Sequence, residues 1–149
     1  MSRMANQKTS ALAQLQKKQT VNGGFPWFEG MPESRYITQH IIAGLSHLKH
    51  LGVTDNNNSQ KLDGIIKKSI NYLDNEAQQD YNRLKEYYSK AVLKEKHISY
   101  INVHYLYTRS FNLKDKPIQN SSKSAYNYFF NQAKKYWTEF NPYSKAMIA

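Results

Sequence analysis

Glycine and proline, the residues that most often end a helix, are gathered in one place in this chain. The stretch Asn22-Gly23-Gly24-Phe25-Pro26-Trp27-Phe28-Glu29-Gly30-Met31-Pro32 holds three of the 6 Gly and two of the 4 Pro. Long runs on either side are left free to be helical, and their apolar residues recur at helical spacing. Residues 10–19 carry Leu12 and Leu15 on one side and read as the tail of a helix. Over residues 34–51, Ile37, Ile41, Leu45, Leu48 and Leu51 form an amphipathic stripe, with Ser34 as N-cap and Gly52 as the stop.

The cluster Asp55-Asn56-Asn57-Asn58-Ser59 marks a turn and cap before a helix over residues 60–89, with a break expected near Asn75. Its stripe is Leu62, Ile65, Ile66, Ile70 and Leu73, continued by Tyr81, Leu84 and Tyr88. Residues 98–111 carry Ile98, Ile101, Val103, Tyr105, Leu106 and Tyr107, a β-prone composition that length argues into a largely buried helix. Residues 121–140 place Tyr126, Phe129, Phe130, Ala133, Trp137 and Phe140 at helical spacing. Asn141-Pro142 opens a last helix over residues 142–149, whose apolar end Met147-Ile148 needs a surface to pack on. The fold class expected is therefore all-α, built from antiparallel helical hairpins and forming part of an α/α toroid.

Composition narrows the chemistry. The 149 residues contain no Cys, which excludes disulfides, Cys-ligated zinc, iron–sulfur clusters, a Cys nucleophile and an internal thioester formed by this chain. No apolar run approaches the roughly 20 residues that span a bilayer, and the first twenty residues show no signal-peptide core. The net charge of +10 raises nucleic acid, but the Lys residues are dispersed and specific nucleic-acid binding is not expected.

The glycine–aromatic loop is the most specific feature. Gly23 and Gly24 permit close backbone approach, and Phe25, Trp27 and Phe28 are expected to fold back as a plug between helix ends. An exposed ligand-stacking platform is the other reading of the same residues. Under the plug reading, Trp27→Ala is expected to lose roughly 3 kcal/mol, as for a buried aromatic. No phosphate loop is present, because no Gly-Lys-Ser/Thr follows. His40, His47 and His50 lack a third zinc ligand with a carboxylate in register, and no metal or cofactor is expected. Asp74, Glu76, Asp80 and Glu86 read as solvated partners of nearby Lys and Arg, which supports no glycosidase dyad. No catalytic residue is assigned.

Several stretches together resemble the bacterial alpha-2-macroglobulin family. They are Asn22 to Gly30, Ser34-Arg35-Tyr36-Ile37-Thr38-Gln39, and Gly44-Leu45 through His47-Leu48-Lys49 to Leu51-Gly52. Further on come Ile70 with Tyr72-Leu73-Asp74, Ser99-Tyr100 with His104-Tyr105-Leu106-Tyr107, Arg109-Ser110-Phe111, Ala133 to Trp137, and Tyr143 to Ala149. The resemblance runs from about Leu15 to the end, to the helical thioester domain, an α/α toroid of the terpenoid-cyclase type. It implies that residues 1–149 are a single partial domain, about half of that toroid. It also implies a large extracytoplasmic parent, in the periplasm or at the cell surface, that traps proteases and changes shape when its bait region is cut. The thioester signature Cys-x-Glu-Gln is not in this chain, so no thioester residue is carried over. The implied function is a non-catalytic structural fragment of an endopeptidase inhibitor. Its partners are proteases through the parent and the parent's other domains, with homo-oligomers forming through exposed broken faces. The alternatives are a standalone helical protein-interaction domain, with the glycine–aromatic loop as its binding edge, and an α/α-toroid enzyme acting on polysaccharide through Tyr105 and His104.

Overall fold

The computed structural model describes residues 2–149, with side chains from Arg3 onward. Helix covers 71% of the chain and strand only one two-residue pair, so the fold class is all-α. The helices are α1 (Ser2–Lys18), α2 (Arg35–His50), α3 (Asn56–Tyr87), α4 (Tyr100–Ser110), α5 (Asn120–Tyr136) and α6 (Pro142–Ile148). Strands β1 (Phe25–Pro26) and β2 (Glu33–Ser34) lie between α1 and α2, and short 3-10 turns occur at Val92–Lys94 and Trp137–Glu139. The chain divides into two compact units, Met1–Leu73 and Asp74–Ala149.

In the first unit, Leu12, Phe25, Ile42, Leu62, Ile65, Ile66 and Ile70 form the core, with Leu15, Ile37, Ile41 and Leu45 packed against it. The cap chemistry is local. Ser34 Oγ accepts from Ile37 N–H, opening α2, and Gly52 takes φ +69 just past its end. Asp55 Oδ1 accepts from Asn58 N–H at 2.8 Å, opening α3 earlier than the expected residue 60. Buried Asn58 then donates to Thr9 Oγ1 of α1 at 3.2 Å. Helix α1 begins well before residue 10.

In the second unit, Ile98, Val103, Ala125, Phe129 and Ala133 form the core, and α4 packs on α5 and α6. Asn141 accepts from Ser144 N–H at 2.9 Å, with Pro142 at the first helical position, as the dipeptide suggests. Met147 and Ile148 pack against this core, so the apolar end of α6 has a surface within the chain. Phe130 and Trp137, expected in the α5 stripe, are 44% and 49% exposed. Ser122, Ala125, Phe129, Gln132 and Ala133 occupy the buried face instead, which turns Phe130 onto Tyr126 at the surface. No break occurs at Asn75: α3 is continuous for 32 residues, because nothing from Asn56 to Tyr87 withholds a backbone donor or forces a positive φ.

Polar residues also hold the segment between α3 and α4. Gln132, only 5% exposed, accepts from His97 N–H at 2.9 Å and donates to the Glu95 carbonyl at 2.9 Å. Tyr128 donates to the Leu93 carbonyl at 2.9 Å, and Lys135 and Tyr136 to that of Lys94 at 2.9 and 2.8 Å. The segment is thereby strapped along α5.

Candidate interaction hairpin and buried polar centre

The glycine–aromatic stretch forms a hairpin. Phe25 pairs with Ser34 and Pro26 with Glu33 in antiparallel register. Gly23 sits at φ +97, and a Cβ there would overlap the Lys68 carbonyl group of α3. Only glycine allows both the conformation and the approach. A Cβ on Gly24 would crowd the Glu33 side chain at 3.0 Å. Ser69 Oγ donates to the Gly23 carbonyl at 2.6 Å, and Gln19 Nε2 reaches the Ile65 carbonyl and Ser69 Oγ, each at 2.9 Å. Phe25 N–H donates to Thr38 Oγ1 at 2.8 Å, and Thr38 in turn donates to the Ser34 carbonyl at 2.7 Å. Thr20 Oγ1 donates to Glu33. The hairpin base is thus locked onto α2, α3 and the residues just past α1.

The three aromatics part company. Phe25 is 2% exposed and enters the core, as a plug requires. Trp27 and Phe28 do not fold back: they are 56% and 72% exposed. The cause is register. The last pair is Pro26 with Glu33, so residues 27–32 lie beyond the ladder at the hairpin tip. Trp27 instead stacks on Tyr36 at 6.0 Å between centroids, with 14° between planes.

The second unit contains a polar centre that sequence reading missed. Asp74, expected to be solvated, is 5% exposed. Its Oδ1 accepts from the Tyr105 hydroxyl at 2.7 Å and lies 2.9 Å from Arg109 Nε. That second contact is a charge pairing rather than an aligned hydrogen bond. Tyr105 and Arg109 stand one helical turn apart on α4, and both are 0% exposed. Arg109 Nη2 donates to the Lys116 carbonyl at 2.8 Å, tying down the loop after α4. Burial raises the Asp74 carboxyl above its ordinary value, against the opposing pull of Arg109 and the Tyr105 hydrogen bond. Burial, then the Asp74 charge, pushes the Tyr105 phenol far up, so it remains a neutral donor. The signal available in the sequence was the spacing Tyr105 to Arg109, which puts a donor and a cation on one face of a helix.

Tyr105 commits its proton to Asp74, whereas the polysaccharide reading needs it as an acid with His104. His104 is 3% exposed and lies among Tyr100 and Tyr107, with centroids 5.9 and 6.2 Å away. Among the described residues, no three His, Asp or Glu side chains come together as a metal site. No helix of the described residues is long and apolar enough to cross a membrane. The ion pairs of the first unit include Lys49 with Asp63 at 2.8 Å, and those of the second Lys96 with Glu139 at 3.0 Å. Comparison with protein-family models, curated proteins and solved structures finds no match to this chain.

Proposed function

We propose that this chain is a structural piece of an alpha-2-macroglobulin-like protease trap, contributing helical hairpins of an α/α toroid and no catalytic group. One observation carries the reading. Two separate stretches that bear the resemblance, one ending at Asp74 and one containing Tyr105 and Arg109, meet in a single buried network. The resemblance therefore lies in residues that hold helices together. The hairpin supports the same view, since Gly23, Gly24 and Phe25 act as packing elements. In this reading the parent is extracytoplasmic, and proteases and the parent's other domains are the partners. The exposed Leu48, Leu51, Tyr87 and Tyr143 suit contact with further domains or with copies of the chain.

The test is the mass of the protein isolated from its natural source with an antibody raised against this chain. A mass far above 17.4 kDa, with a change in native-gel mobility after protease cleavage, is expected. A methylamine adduct would add a thioester elsewhere in the parent. A mass near 17.4 kDa overturns the reading and favours the standalone interaction domain, for which the exposed Trp27 and Phe28 speak.

A further inference from the structure

The hairpin that buries Phe25 ends in an apolar tip held open to solvent. Trp27, Phe28 and Met31 are 56%, 72% and 50% exposed, and Tyr36 beside them 44%. The tip is shaped rather than loose. Met31 N–H donates to the Phe28 carbonyl at 3.1 Å, and Gly30 takes φ +85 to make the turn. Below it, the base is anchored by the bonds of Thr20, Thr38 and Ser69. Trp27 is backed by Tyr36, which in turn lies 4.4 Å from His40. Such a tip presents large side chains with little ordering left to do on binding. Trp and Tyr are the residue types that dominate the energetics of protein contacts.

Charge selects the occupant. The chain carries +10 overall, yet Asn22 to Ser34 contains Glu29 and Glu33 and no Lys or Arg. Glu33 is engaged by Thr20, which leaves Glu29 exposed at the tip. The next cation, Arg35, directs Nε to Gln39 Oε1 at 2.9 Å. An exposed indole attracts a cation, and an exposed carboxylate two residues along the same tip adds to that attraction.

We propose that Trp27, Phe28, Glu29, Met31 and Tyr36 form a docking site for an apolar–basic segment of a protein partner. An Arg or Lys of that segment lies over Trp27 and pairs with Glu29, while its apolar residues cover Phe28 and Met31. The proposal is independent of the protease-trap reading.

The probe is a blocked hexapeptide of alternating Arg and Leu. It is titrated into the Trp137→Phe variant, in which Trp27 is the sole indole of the 2 present. A saturable change in Trp27 emission is expected. By calorimetry, Trp27→Ala should weaken binding roughly tenfold or more at an unchanged helical circular dichroism signal. Glu29→Gln should weaken it about threefold and flatten the salt dependence. An alternating Glu–Leu peptide should bind at least about tenfold more weakly. The proposal is overturned by the absence of saturation up to about 1 mM peptide, by equal binding of the Glu–Leu peptide, or by indifference to Trp27→Ala. Binding of cellohexaose in place of the peptide would identify a sugar site instead. Self-association that disappears with Trp27→Ala, read by light scattering, would identify a second copy as the occupant.

Discussion

The hydroxyl of Tyr105 donates to Oδ1 of Asp74 across 2.7 Å, buried inside the second unit. Arg109 meets the same oxygen, so one carboxylate compensates both a phenol and a guanidinium. Breaking such a group from one side costs more than removing it whole. Asp74→Ala should lose about 3–5 kcal/mol in denaturant unfolding, because Arg109 is left buried and uncompensated. Tyr105→Phe, which removes only a donor, should lose about 1–3 kcal/mol. The double variant Asp74→Leu with Arg109→Met should recover much of the Asp74→Ala loss. Equal losses for Tyr105→Phe and Asp74→Ala would count against this division of roles.

Two glycines with positive φ separate conformation from space. Gly30→Ala meets nothing within 4 Å, so its cost is strain alone, about 1 kcal/mol. Gly23→Ala adds a collision with the Lys68 backbone and should cost at least about 3 kcal/mol. Thermal midpoints of the two variants, measured side by side, check the difference.

Phe25 and Trp27 are two residues apart and should respond in opposite ways. Phe25→Ala empties a filled site and is expected to lose about 3–5 kcal/mol. Trp27→Ala, at a half-exposed tip, is expected to lose under about 1 kcal/mol, not the 3 kcal/mol of a buried aromatic. Chemical denaturation of both variants decides it.

Tyr128 supplies an alkaline test. Burial, with smaller contributions from Tyr81 and Tyr136, pushes its phenol up to about 12 from the ordinary 10.0. The folded state therefore holds this proton more tightly than the unfolded chain does. The resulting stability is complete below pH 10.0 and is lost as pH rises towards about 12. Tyr128→Phe should start less stable, through loss of the bond to the Leu93 carbonyl, and should decline less over that interval. Urea midpoints between neutral pH and pH 12 measure the two slopes.

Gln132→Ala removes the acceptor for His97 N–H and a donor to the Glu95 carbonyl. Cleavage by trypsin after Lys94 and Lys96 should accelerate at least about tenfold, since each bond stabilises by about 1 kcal/mol. Cleavage after Lys17 or Lys18 in the first unit should not change.

Apolar spacing and end chemistry made the helices legible. Ser34, Gly52 and Asn141-Pro142 mark boundaries through local bonds that need no tertiary partner. Spacing alone could not rank apolar side chains by depth. Phe129 and Phe130 are equally apolar neighbours, yet only Phe129 is buried, because the buried face of α5 also takes in Ser122 and Gln132. Nor could it reveal Asp74: its partners stand 31 and 35 residues away, at Tyr105 and Arg109. In the hairpin, the sequence suggests packing for Phe25, Trp27 and Phe28 alike, and only Phe25 is buried. The outward turn of Trp27 depends on a strand register of two residues, which composition does not encode.

The strap along α5 carries one more consequence. Tyr128, Gln132, Lys135 and Tyr136 all address main-chain atoms of residues 93–97. Such recognition counts residues without reading their identities. The exposed side chains of Lys94 and Glu95 can be exchanged at little cost, whereas an insertion or deletion of one residue slips every bond out of phase. At those two positions, length rather than spelling is what a library of variants should find constrained.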